Sequence, residues 1–383
     1  MSVCGYTTYE LYGIVPYVTF VVAFLAFVLR CRFSGRGICL WTVIVAFACS
    51  RLAVFHLIGG AVLHPLNVPE PLVHILDVAY FGTFLLAALA VPFFFWRSRI
   101  KAFVLPLVAY SVALVGVLNA VAVPVVREYV VASDRVPPPL DGYRIVHISD
   151  VHAYCGCRRW HTQEIVDVAN RLGADLICLT GDFADGHPND CEDYLAPLLT
   201  LRAKDGVYAV TGNHEFDANV NPVRDWCSFY AKWGLPFLRN GCVFPRAGLA
   251  LGGVDDEAVA LPKPSAEKYG DAPDVAKAFA SATNGEFRVL LQHQPVEAER
   301  NIGDQRIDLQ LSGHFHGGFM PIMRERIIAR EGGRCIGGLY KIGPGFLCVS
   351  AGCGPWGGFP IRYRTPLEIG LITLRHVQEG MLK

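Results

Sequence analysis

The chain is short of charge. Only 18% of its 383 residues are Asp, Glu, Lys or Arg, against about 25% in an ordinary soluble chain. An excess of either sign is also missing, because 34 Lys and Arg balance 34 Asp and Glu. Without a basic surplus there is no electrostatic footprint of a nucleic-acid binder, so no nucleic-acid partner is expected. Internal repeats and low-complexity tracts are absent as well. A hydrophobic content of 52% excludes a disordered, collagen-like or coiled-coil chain.

The shortage is concentrated in the first third. Residues 1–126 carry ten of the 68 charged residues, seven positive and three negative, which leaves 27 positive and 31 negative for residues 127–383. Four apolar stretches lie in that third, at 11–29, 38–63, 72–96 and 102–126. Each reaches the roughly 20 residues that a helix needs to cross a hydrocarbon core of about 30 Å. They predict an all-α region of four transmembrane helices over 1–126, in an integral cell-membrane protein. No basic segment precedes the first stretch and three more follow it, so a cleaved signal peptide is a poor account. Positive residues of short loops stay cytoplasmic. Arg30, Arg32 and Arg36 sit in the first joint and Arg97, Arg99 and Lys101 in the third, whereas the N-terminal tail and the second joint (64–71) have no Lys or Arg. The chain beyond the fourth stretch is therefore expected on the periplasmic or extracellular side. Arg51 falls near mid-membrane by count, where an unpaired ion costs at least about 2.5 kcal/mol. Asp77, with His56, is its expected partner. Of thirteen cysteines nine follow residue 126, which fits an oxidising compartment. Cys178 and Cys348, inside apolar runs, read as plain buried thiols.

Pro137-Pro138-Pro139 marks a stiff linker over 127–140. The remainder, 141–383, alternates short apolar runs with amphipathic stretches, the pattern of an α/β domain. Strands are expected at 143–149, 175–180, 206–211, 249–254, 287–291, 307–311, 346–350 and 367–374, and helices at 162–172, 222–232 and 273–282. Residues 317–345 read as a long loop. Five of the strands end in polar clusters: Asp150 and His152; Asp182 and Asp185; Asn213 and His214; His293; His314 and His316. Taken singly, each has an ordinary reading as an Asx turn, a Gly-Asp turn or a satisfied polar residue at a strand end. In open α/β sheets, however, residues at the carboxyl ends of strands converge. Five such endings point to one metal site. In Gly313-His314-Phe315-His316-Gly317-Gly318 two imidazoles lie two residues apart in a glycine-rich turn, where little obstructs a metal.

In this order, Asp150-x-His152, Gly181-Asp182-x-x-Asp185, Gly212-Asn213-His214-Glu215, His293 and Gly313-His314-x-His316 resemble the five blocks of the calcineurin-like metallophosphoesterase family. More narrowly, they resemble its bacterial membrane-associated branch. The resemblance covers about 140–374 and leaves out the four apolar stretches. It implies an α/β fold built as a four-layer β-sandwich flanked by helices, with two divalent metal ions, Mn²⁺, Fe²⁺ or Zn²⁺. It further implies that Asp150, His152 and His316 hold the first ion, that Asn213, His293 and His314 hold the second, and that Asp182 bridges the two. His214 is then not a ligand but the catalytic neighbour that stabilises or protonates the leaving oxygen. Asp185 and Glu215 orient ligands through hydrogen bonds. Arg158 and Arg159 either meet substrate phosphate or form a solvated basic turn. Phe315 stands where the family has a small polar residue and Phe319 follows the glycines, departures that bear on substrate preference.

The expected activity is hydrolysis of a phosphomonoester or phosphodiester by attack of a metal-bridging hydroxide. Two cations about 3.5–4 Å apart lower the pKa of its parent water and clamp the phosphoryl oxygens. Imidazoles bind metal only when neutral, so activity falls in acid. Four membrane spans make a lipid-linked phosphate or diphosphate an attractive substrate. The alternative is a non-catalytic membrane sensor or transport-associated protein with a metal-binding extracytoplasmic domain, which Arg51 and Asp77 favour. Binding alone has no need of both His214 and Asp182. Oligomeric state leaves no mark in the sequence.

Overall fold

The computed structural model describes residues 69–90, 101–154, 156–186, 188–216, 223–260, 271–321, 323–324 and 335–378. The chain divides into two units after Leu118. In the first lie α1 (Glu70–Ala90), of 21 residues, and α2 (Lys101–Ala120), of 20 residues, on the third and fourth apolar stretches. Among the described residues no helix is long and apolar enough to cross a membrane. The expected four-helix transmembrane region is thus not established by them. The stretches at 11–29 and 38–63, with Arg51 and His56, lie outside the described residues. Asp77 is fully buried, 3.9 Å from His74. Large apolar side chains of α2 stand in the open, Leu107 at 69% and Leu118 at 56% accessibility.

The second unit is built on two sheets. Strands β1 (Val125–Ser133), β2 (Arg144–Ile148), β3 (Leu176–Thr180), β4 (Val207–Val210) and β11 (Glu368–His376) form one, in the order β1-β11-β2-β3-β4. Strands β5 (Gly241–Arg246), β6 (Leu249–Gly253), β7 (Phe287–Leu291), β8 (Leu309–Ser312), β9 (Gly338–Ile342) and β10 (Gly345–Val349) form the other, in the order β5-β6-β7-β8-β10-β9. Side chains alternate between the faces of a strand. Ile145, Leu176, Cys178 and Val210 of the first sheet therefore point inward and pack with Leu251, Val289, Leu291, Leu309, Leu311 and Cys348 of the second. Outward-facing Val146, Ile148, Ile177 and Leu179 pack under α3 (Arg159–Arg171), α4 (Pro188–Leu195) and α5 (Val223–Trp233). Ala250 and Leu290 do the same under α6 (Val275–Ala278) and α7 (Ala298–Asp304). The result is helix, sheet, sheet and helix. Burial on both faces is why the central strands read as unbroken apolar runs.

All eight expected strands occur within two residues of their expected bounds, and three further strands appear. One of them corrects the linker. α2 stops at Ala120, and Val125–Ser133, mostly assigned to 127–140, is a strand that pairs in parallel with β11 along its whole length. Apolar composition runs unbroken across the boundary, but β-branched residues then dominate, and Arg127 and Tyr129 both reach the buried Glu368, at 3.1 and 2.9 Å. The other two, β5 and β9, are half-buried edge strands without alternating burial. β9 falls inside the segment expected as loop. Among the described residues Cys178, Cys242, Cys335, Cys348 and Cys353 are free thiols. Cys178 and Cys348 are fully buried. Cys155 lies outside the described residues.

Candidate metal centre

Strands β2, β3 and β4 run parallel to one another, as do β6, β7, β8 and β10. Their carboxyl ends carry the five polar clusters. Asp150, His152, Asp182, His314 and His316 all adopt left-handed backbone, with φ between 43° and 73°. Asp and His tolerate that region better than most residues, yet each such position costs of order 1–3 kcal/mol. Five of the seven expected ligands share this strain, which turns the chain sharply after each strand and aims the side chains back at one point. Two glycines make room. A side chain at Gly212 would strike the Asp182 carboxylate, and one at Gly313 the Asp150 carboxylate.

Two groups of donor atoms result. In the first, Asp150 Oδ1 lies 3.6 Å from His316 Nε2 and 3.9 Å from His152 Nε2. In the second, His293 Nε2 lies 3.1 Å from Asp182 Oδ2 and 3.2 Å from Asn213 Oδ1, and His314 Nδ1 is 2.8 Å from the same amide oxygen. Atoms bound about 2.0–2.2 Å from one ion stand roughly 3 Å apart, so the second group is already spaced as ligands and the first is slightly open. Asp182 Oδ2 also lies 3.6 Å from His152 Nε2, between the groups. His152 Nε2 is buried without a hydrogen-bond partner among the described residues. A ring nitrogen orphaned beside two carboxylates calls for a cation. The donor set fits metal ions.

A supporting layer fixes these groups. Asp185 Oδ1 meets Nδ1 of His152 at 2.7 Å and of His214 at 2.9 Å, and its Oδ2 accepts from Gly357 N. His293 Nδ1 donates to the Thr180 carbonyl at 2.6 Å. Glu215 accepts from the backbone N–H groups of Asp182, Phe183 and Gly212, which ties the turns after β3 and β4 together. His214 N donates to Asp182 Oδ1 at 2.9 Å. Burial would push the Asp182 carboxyl up, but the His293, His214 and His152 imidazoles outweigh it and hold the group well below its usual range. Burial pulls His314 down to about 3 and His316 well below its ordinary value, so both rings stay neutral, the form that binds metal.

Residues 143–318 match the family model described as calcineurin-like phosphoesterase. An uncharacterized metallophosphoesterase of Helicobacter pylori (strain J99) is 30% identical over 261 residues, covering 68% of this chain and 66% of its own length. The chain belongs to the calcineurin-like phosphoesterase family. A second H. pylori metallophosphoesterase is 29% identical over 260 residues. A transmembrane protein with metallophosphoesterase domain from Bos taurus is 31% identical over 281 residues, which is 70% of this chain and 61% of the bovine one. The chain spans 66% of the length of the H. pylori relatives and 61% of the bovine one.

Not every expected site residue joins the centre. Arg159 is exposed and turns to Asp193 on α4, at 3.0 Å, and the Arg158 guanidinium lies 5.9 Å above the Tyr194 ring. Conversely, two groups escaped the sequence reading. Asp255 and Asp256 follow β6, both buried, and accept from Thr211 (3.2 Å) and Gln294 (3.0 Å) beside the ends of β4 and β7. The strand-ending logic applied to 249–254 would have found them. The other is Arg362, fully buried against His316. It stands in no strand and ends none, so the strand-end signal that marked the other clusters is missing.

Proposed function

We propose that the chain is a membrane-anchored, dinuclear metal-dependent phosphoesterase. Asp150, His152 and His316 would hold one ion and Asn213, His293 and His314 the other, with Asp182 between them. The observation that carries this reading is Asp182 Oδ2, a single oxygen within 3.1 Å of His293 Nε2 and 3.6 Å of His152 Nε2. Carboxylate, amide and imidazole donors without thiolate suit Mn²⁺, Fe²⁺ or Zn²⁺. When bound, two such ions supply Lewis acidity toward the phosphoryl oxygens and bring the pKa of water down toward about 7.

The chain's own groups position and protonate. Asp185 holds Nδ1 of both His152 and His214, so Nε2 is the working nitrogen of each ring. His214, fixed beside Asp182 through its own backbone N–H, would act as the imidazolium, keeping Nδ1–H on Asp185 while its Nε2 proton passes to the leaving oxygen. Phe319 stacks on His316 with centroids 4.7 Å apart, and Trp356 stands 6.2 Å from His214. That aromatic border supports a phosphomonoester or phosphodiester with an apolar body, such as a lipid-linked phosphate. Anchoring is supported by there being only ten charges in residues 1–126, by the open apolar side chains of α2, and by the likeness to a bovine transmembrane protein. The loop charges favour a catalytic domain on the periplasmic or extracellular side.

The test loads the purified full chain with Mn²⁺, Fe²⁺ or Zn²⁺ and offers aryl phosphomonoesters, aryl phosphodiesters and lipid-linked phosphates. Two ions per chain and turnover with at least one metal are expected. A folded, metal-loaded chain that turns over none of these would overturn the hydrolase reading, and loss from membranes on alkaline washing would overturn the anchoring.

A further inference from the structure

Behind the Asp150, His152 and His316 group lies a cation that the chemistry above leaves unused. Arg362 is 1% exposed. Its Nη1 donates to the carbonyls of Ala351 (2.6 Å) and His316 (3.3 Å), and its Nη2 donates to the Gly354 carbonyl (3.0 Å) and lies 2.9 Å from Nδ1 of His316. Nε has no partner among the described residues. Taking a guanidinium out of water is unfavourable unless geometry compensates it, and an apolar residue of similar size would fill the space at less cost. What the guanidinium adds is a rigid, flat fork of donors that one Lys nitrogen cannot reproduce.

That fork joins two loops. One follows β8 and carries His316, whose backbone is left-handed at φ 49°. The other follows β10 and is itself fastened to the first cluster, because Cys353 N donates to Ser149 O and Gly354 N to Asp150 O, both at 2.9 Å. A continuous chain of bonds thus runs from Asp150 through Gly354 and Arg362 to His316. The His316 ring stacks on Phe319 and its Nε2 faces Asp150, while its backbone carbonyl is held by Arg362. No corresponding bond runs from Arg362 to Asn213, His293 or His314 among the described residues.

We infer that Arg362 is a positioning residue for one metal site of the pair: through the carbonyls of His316, Ala351 and Gly354 it couples the His316 loop to Asp150, so that the Asp150, His152 and His316 site depends on it and the Asn213, His293 and His314 site does not. The inference rests on the dinuclear reading above.

Full-length wild type, R362K and R362M are loaded with Mn²⁺, dialysed at fixed free Mn²⁺, and compared by elemental analysis and by the spin coupling between neighbouring Mn²⁺ ions. Wild type should hold two coupled ions. Both variants should hold one uncoupled ion, and the second should return only at about 10–100-fold higher Mn²⁺, the usual effect of removing a group that orients a ligand. Near-ultraviolet spectra show whether each variant is folded, and R362K decides the matter if R362M is not. Two coupled ions in R362K at the wild-type concentration would overturn the proposal, and so would loss of both ions in parallel. A wild-type chain that holds fewer than two ions would instead overturn the dinuclear reading, and the role of Arg362 with it.

Discussion

Acid should destabilise the metal-free protein through one histidine that touches no expected ligand. His147 lies in β2 and faces the layer between the sheets, wholly buried. Nε2 is 2.8 Å from Thr180 Oγ1, and Nδ1 has no partner among the described residues. A second proton would therefore be uncompensated, and burial pulls the group down to about 3 from an ordinary 6.5. A depressed folded-state value means that the unfolded chain takes up the proton first. Stability is complete above pH 6.5 and falls as pH drops toward 3. Between pH 7 and 5 the loss from this one ring is about 2 kcal/mol, from 1.36 kcal/mol per pH unit. For a unit of this size that lowers Tm by roughly 4–8 °C. The assay is thermal unfolding at pH 7 and pH 5, in chelator, for wild type and His147→Gln. The variant should lose that much less of its Tm between the two pH values, other titrating groups cancelling in the comparison. Equal losses in both proteins would refute the argument, because they would mean that the ring is hydrated or paired in the folded chain.

Other outcomes follow from the same geometry. His214→Asn should retain both ions and lose about 10²–10⁴ in kcat, the usual contribution of a positioned proton donor; an unchanged kcat would remove it from the chemistry. Asp182→Asn should fail to hold two ions at concentrations that saturate wild type, as measured by elemental analysis. Arg159→Ala should leave KM and kcat unchanged and cost less than about 1 kcal/mol, since its partner Asp193 is solvent-exposed; a raised KM would return that side chain to the substrate. Trp356→Ala should weaken turnover of long-chain or aryl esters while sparing small alkyl ones, which a comparison of kcat/KM across chain lengths would show.

The centre was legible because its ligands cluster at strand ends, and strand ends are marked by where an apolar run stops. Asp150, Asp182, Asn213, His293 and His314 all announce themselves that way. Arg362 does not, because its role comes from a fold contact with His316, 46 residues earlier in the chain. The central strands were legible for a related reason. Burial on both faces makes them apolar throughout, whereas β5 and β9 are half-buried edges whose residues obey no period. β1 was hidden by its neighbour. Its valines continue the apolar stretch of α2, and a count of apolar residues cannot distinguish the end of a helix from the start of a β-branched strand. The placement of Arg159 was open to two readings in the sequence, and Asp193, its partner, sits on a helix that the apolar pattern did not reveal.

Pairing of Val125–Ser133 with Glu368–His376 has a practical consequence for anyone who wishes to excise the catalytic half. A fragment cut at residue 141, where the proline-rich run invites it, would discard the outermost ribbon of its sheet. Nine residues of backbone on the last strand would then offer unsatisfied hydrogen-bonding groups to neighbouring molecules, and Glu368 would lose Arg127 and Tyr129 together. Cutting before Val125 should give a soluble, monodisperse preparation where the shorter piece precipitates.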